Sequence, residues 1–212
     1  MTSNELDKPC SQAKAESIEP AALFQAFHRN FEQGERIGGE PDHCCYTIGG
    51  YTVELRFAGT ALMPLITPAL KHLAVKSGLR PALTVCLWDS ASTHTKMPSP
   101  PWSSNAYIAR GEVLGYNDEH IRTAFHLGSG ILSMFDTMRN AALFWIRDAN
   151  LTPYYESAAP LRTILHWFAR NHGCQLVHAA AVGTPNGGVL LAGKGGSGKS
   201  TTARGTSTRS SP

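Results

Sequence analysis

The stretch VLLAGKGGSGKSTT, residues 189–202, constrains this chain more than any other. Four aliphatic residues run directly into a glycine-rich segment, which is the strand-to-loop context a phosphate-binding loop requires. Gly193-x-x-x-x-Gly198-Lys199-Ser200 meets that pattern at every fixed position. Each residue type has a mechanical reason. Gly193, Gly195, Gly196 and Gly198 permit backbone torsions that turn successive N–H groups inward on a phosphate, alongside Lys194 and Ser197. Lys199 supplies a cation for the β- and γ-phosphate oxygens, and the Ser200 hydroxyl a ligand for Mg2+, with Thr201 in the same first turn. The helix that follows aims its positive end at the same charge. Nucleotide, with ATP and Mg2+ as the pair, is therefore the predicted ligand.

Charge supports that reading. All 16 acidic residues lie at or before Glu156, and Ser157 to Pro212 carry six basic residues and no acid. The other 13 of the 19 Lys and Arg leave residues 1–156 at −3, against +3 for the whole chain. A basic, acid-free segment around a glycine loop suits an anion, yet it is too sparse to argue for nucleic acid. The same absence of acids removes any base or metal-binding carboxylate after the loop.

Upstream, residues 1–19 are polar and aperiodic and read as a disordered tail. From Pro20, Leu23, Phe24, Phe27 and Phe31 share one helical face, with Gly34 near the expected stop. YTIGGYTVELRF reads as a hairpin, with Gly49-Gly50 at the turn and Tyr51, Val53, Leu55 and Phe57 alternating with polar residues. PALTVCLW, IRTAFHL and GILSMF read as strands, AALFWIRDA as a strand or a helix, and residues 93–104 as a proline-rich loop. APLRTILHWFARNHG predicts a helix from Pro160 to Gly173 with Leu161, Ile164, Leu165 and Phe168 on its apolar face. QLVHAAAV and VLLA, joined through Asn186-Gly187, predict a second hairpin.

The expected class is α/β: an N-terminal α+β domain over residues 20–150, then the start of a phosphate-loop domain over 151–203. Residues 204–212, Ser/Thr-rich with Gly205, have poor helix propensity and read as a disordered, out-of-frame tail. No apolar run reaches a membrane span, since 57–70 is broken by Gly59, Thr60, Pro64 and Pro68. The N-terminus lacks a secretory h-region, and the five cysteines form no CxxC pair, which together predict a reduced, cytoplasmic protein. Unpaired strand edges around 176–182 and 189–192 make an oligomer an expectation as well.

LVHAAAVGTPNGGVLLAGKGGSGKSTTA resembles the beginning of the kinase domain of HPr kinase/phosphorylase and its bacterial serine-kinase relatives. That resemblance covers roughly residues 160–203. It implies a phosphoenolpyruvate-carboxykinase-like fold and phosphoryl transfer from Mg·ATP to a serine on a protein or peptide. It also implies an active-site role for His178, 15 positions ahead of Gly193. The family's acidic residues after the loop helix have no counterpart here, so the chain is expected to be a truncated, catalytically incompetent form. Two other readings stand beside it: a transport or regulatory ATPase, and a non-enzymatic binding module over residues 20–150. His166 and His172 show no metal-ligand spacing.

Overall fold

The computed structural model describes residues 18–39, 42–76, 78, 80–184 and 186–207. Of the expected tails at 1–19 and 204–212, residues 1–17 and 208–212 lie outside these residues, as does Pro185 in the second hairpin. The described chain is α/β and divides into two compact units, one through Ile164 and one from Leu165.

A seven-stranded sheet organises the first unit. Its strands are β1 (Asp42–Ile48), β2 (Tyr51–Ala58), β3 (Ala74–Val75), β4 (Leu83–Asp89), β5 (Ile121–His126), β6 (Ile131–Asp136) and β7 (Ala141–Ile146). They lie in the order β3-β1-β2-β4-β7-β6-β5. The central trio β2, β4 and β7 is parallel, and antiparallel hairpins flank it on both sides. Pairing of Ile48 with Tyr51 leaves Gly49 and Gly50 as the two turn residues, at φ 59° and 86°. Two successive positive φ values make a tight turn whose twist matches the strands, as the sequence predicts. β7 is a strand: its unbroken run Ala-Ala-Leu-Phe-Trp-Ile is buried almost throughout, because a central parallel strand is covered on both faces.

Helix α1 (Pro20–Gly38) packs on β2, β4, β5 and β6. It buries Leu23, Phe24, Phe27 and Phe31 with Trp88, Trp102, Met134 and Trp145. Arg56 on β2 clamps Glu35 of α1 through Nη2–Oε2 at 2.6 Å and Nη2–Oε1 at 2.9 Å. The helix does not stop at Gly34. Gly34 is buried, and a Cβ there would stand 3.5 Å from Ala58, Thr93 and Thr95. Its glycine is a packing feature rather than an end signal.

The alternate strand residues Val53, Leu55, Phe57, Val85, Leu87 and Phe144 are buried too, so the sheet is covered on both faces. Helix α2 (Met63–Leu70) packs along α4 (Tyr154–Ala158), and the turn α3 (Ser90–Thr93) follows β4. The division between units falls inside α5 (Arg162–Asn171), later than the expected boundary at 151. The reason is packing: Pro160, Leu161 and Ile164 are buried, and α4 belongs with α2. α5 ends at Asn171, two residues before Gly173, the expected stop, which holds φ 67° in the turn that follows.

The second unit continues with β8 (Ala179–Thr184), β9 (Gly187–Ala192) and α6 (Lys199–Ser207). β8 and β9 form an antiparallel hairpin whose side chains are largely exposed, Val189 and Leu190 among them. α6 packs on β8 and runs through Gly205 to Ser207, four residues past the expected break. Contact with the hairpin overrides the weak propensity of this segment.

Candidate functional site

The glycine segment leaves β9 at Ala192 and enters α6 at Lys199. Its conformation follows from its glycines. Gly196 and Gly198 hold φ at 78° and 79°, where a Cβ would be strained. A Cβ on Gly193 would lie 2.7 Å from Ser197 Oγ, so the serine hydroxyl packs where a larger residue would push it aside. Ser197 N–H donates to Lys194 O at 3.2 Å, and Thr202 N–H donates to Gly198 O at 2.9 Å, which opens the helix.

Lys199 folds back over this ring. Its Nζ donates to Gly193 O at 2.8 Å and to Lys194 O at 2.7 Å. The ammonium is therefore parked on two carbonyls at the start of the loop. Around it, Gly195, Gly196 and Gly198 meet no atom within 4 Å of where a Cβ would be, so the loop surface stays open. Lys194, Ser197, Ser200 and Thr201 are exposed. The structure thus brings all nine loop positions, Gly193 to Thr201, into one strand–loop–helix unit.

His178 lies one residue before β8 and is exposed. The hairpin register pairs Ala179 with Ala192, so its next step sets His178 level with Gly193. Neither His166, half-buried in α5, nor His172, whose Nδ1 sits 2.9 Å from Phe168 O, joins a ligand set. Among the described residues no group of three His, Cys, Asp or Glu is placed to hold a metal ion. No helix among them is long and apolar enough to cross a membrane.

No family model, curated protein or solved structure matches the chain.

One feature of the first unit escapes the sequence entirely. A cavity of about 300 Å3 is lined by His126, Ser129, Ile131, Tyr155, Glu156, Arg162 and Thr163. Burial, and then Arg162, lowers the pKa of His126 below its ordinary 6.5. Burial raises that of Glu156, against the pull of its hydrogen bond from Leu161 N–H and the charge on Arg162. These residues come from β5, β6, α4 and α5. No short motif links them, and only the fold brings residues 126 and 156–163 together.

Proposed function

We propose that residues 193–201 capture the polyphosphate of Mg·ATP, as the nucleotide-binding segment of an HPr-type serine kinase. One observation carries this reading: Lys199 Nζ is held over an open glycine ring by two backbone carbonyls. The residues present fit the group. Open glycine positions leave room for phosphate oxygens against the backbone, and Gly196 and Gly198 already occupy the torsions that a phosphate cradle uses. Lys199 would bind the β- and γ-phosphates, the first-turn N–H groups of α6 would face the same charge, and Ser200 would offer its hydroxyl to Mg2+. Bound Mg·ATP supplies a transferable phosphoryl group, and a serine on a protein or peptide is the acceptor this reading implies.

Residues 157–212 contain no carboxylate to orient that serine or to complete the metal shell. The part of the reaction these residues can perform is nucleotide capture. Titration calorimetry with Mg·ATP, Mg·ADP and AMP tests it. Mg·ATP and Mg·ADP are expected to bind and AMP to bind far more weakly, because the loop grips the β-phosphate. Lys199→Ala should weaken Mg·ATP at least about tenfold, the scale of one lost bond to a charged group. Equal affinity of AMP and ATP, or an unchanged Lys199→Ala, overturns the reading. His178→Ala separates the kinase from a transport or regulatory ATPase: weakened Mg·ATP binding supports the kinase, and unchanged binding favours the ATPase.

A further inference from the structure

The cavity of the first unit carries two opposite charges that do not meet. Glu156 Oε1 accepts the Leu161 N–H at 2.7 Å, and its second oxygen has no hydrogen-bond partner among the described residues. Arg162, exposed at the first turn of α5, forms no ion pair with any carboxylate among the described residues, although it lies close enough to Glu156 to influence its ionisation. Both line the same space of about 300 Å3. Leu161, between them, is held at φ 59°, a left-handed conformation that a leucine rarely adopts and that points to a functional constraint. The Leu161 N–H donates to Glu156 Oε1 and so ties that side chain to the turn before α5.

His126, in the same lining, has neighbours at both ring nitrogens. His126 is backed by Gly111, where a Cβ would stand 3.0 Å from His126 Nδ1. Its other nitrogen, Nε2, lies 3.3 Å from Thr163 Oγ1. Ile131 and Tyr155 add an apolar lining.

We propose that this cavity binds a small zwitterion, an α-amino acid. Its carboxylate sits on the Arg162 guanidinium and the Thr163 hydroxyl, its ammonium on the free oxygen of Glu156, and its side chain against Ile131 and Tyr155. A bare carboxylate would leave the half-buried Glu156 oxygen unmatched, and a bare amine would leave the exposed Arg162 guanidinium without a counter-ion. A ligand with both charges completes both at once.

Calorimetry of the full chain tests this with L-serine, L-leucine and L-phenylalanine. It adds 4-methylpentanoate and isopentylamine, which are leucine without its ammonium and without its carboxylate. At least one amino acid is expected to bind saturably, with leucine at least about tenfold tighter than either analogue. Arg162→Gln and Glu156→Gln should each weaken the bound amino acid by a similar factor. Glu156→Gln keeps an oxygen for the Leu161 N–H, and Arg162 is exposed, so both variants should fold; a cooperative thermal transition no lower than that of the wild type checks this. Failure of all three amino acids to bind overturns the proposal. So does 4-methylpentanoate binding as tightly as leucine, or an amino-acid affinity unmoved in the Arg162→Gln protein.

Discussion

Two glycines on one helix should respond to the same substitution with opposite signs. Gly34 and Gly38 both lie in α1, and replacing either by alanine removes the backbone freedom of glycine in the unfolded chain. In a helix interior that change is worth about 0.8–1.0 kcal/mol in favour of alanine. At Gly34 the new methyl would touch Ala58, Thr93 and Thr95 at 3.5 Å, an ordinary packing distance, and it would be buried. Adding up to about 0.8 kcal/mol for a buried methyl gives a predicted stabilisation of about 1–1.5 kcal/mol. At Gly38 the methyl would stand 2.9 Å from Gly59 N and 3.3 Å from Gly59 Cα. Those are backbone atoms at a residue with φ 75°, so they cannot swing aside as a side-chain end would. Overpacking of this kind costs about 1–3 kcal/mol, and Gly38 is the last residue of the helix, where the propensity gain shrinks. A net loss of about 1–2 kcal/mol follows. Thermal unfolding read by tryptophan fluorescence should show Gly34→Ala raised by roughly 2–5 °C and Gly38→Ala lowered by about the same amount. Shifts of the same sign in the two variants would refute the reasoning, as would a stabilised Gly38→Ala.

Acidification should weaken the fold through two histidines. The pKa values of His28 and His126 are both lowered below 6.5, chiefly by burial. A base with a depressed folded pKa contributes stability that is present above its unfolded value and lost as pH falls through the folded one. Denaturant midpoints should therefore drop below pH 6.5, and His28→Gln with His126→Gln should flatten that slope. Glu156 has the opposite sign: its raised pKa adds stability at low pH that disappears as pH rises through the folded value. Glu156→Gln should accordingly gain on the wild type as pH is raised from 4 toward 7, roughly across the titration range of an acid displaced upward from 4.5. Thiol labelling should separate the cysteines: Cys174 is exposed, whereas burial pushes Cys86 up to about 12. A disulfide reagent should modify Cys174 in the native protein and reach Cys86 only on unfolding, and rapid native labelling of Cys86 would contradict its burial.

Local chemistry made much of this fold legible. The Gly49-Gly50 turn, the alternation of β2 and the apolar face of α1 each depend on residues within a few positions of one another. Misreadings arose where one sequence signal serves two physical ends. A lone glycine such as Gly34 can end a helix or admit a neighbour, and only the position of Ala58 and Thr93 decides. The boundary placed at 151 fell at a change in composition, whereas the unit extends to Ile164 because Leu161 and Ile164 are buried. α6 reached Ser207 because β8 supports it, a tertiary effect that propensity does not contain. The glycine loop was visible as a pattern because its glycines, lysine and serine are consecutive in the sequence. The cavity around Glu156 was not, because its residues converge from four separate elements.

The charge distribution of residues 157–212 bears directly on the proposed nucleotide site. Where a lysine rests against a carboxylate, a phosphate has to displace that partner. Here there is no acid from Ser157 onward, and Lys199 rests instead on the carbonyls of Gly193 and Lys194. Exchanging those neutral acceptors for phosphate oxygens gains the stronger, charge-assisted bonds without stranding an anion. Introducing a competitor should expose this directly. Ser197→Asp would place a carboxylate on the loop beside the Gly193 Cα, where Ser197 Oγ now sits, and within the reach of Lys199. Nucleotide affinity should fall by at least the factor seen for Lys199→Ala, and the loss should ease as salt screens the new charge. Ser197→Asn, with the same shape and no charge, should retain most of the binding. If the two substitutions were equally damaging, steric fit at Gly193 rather than the acid-free field around Lys199 would govern the site.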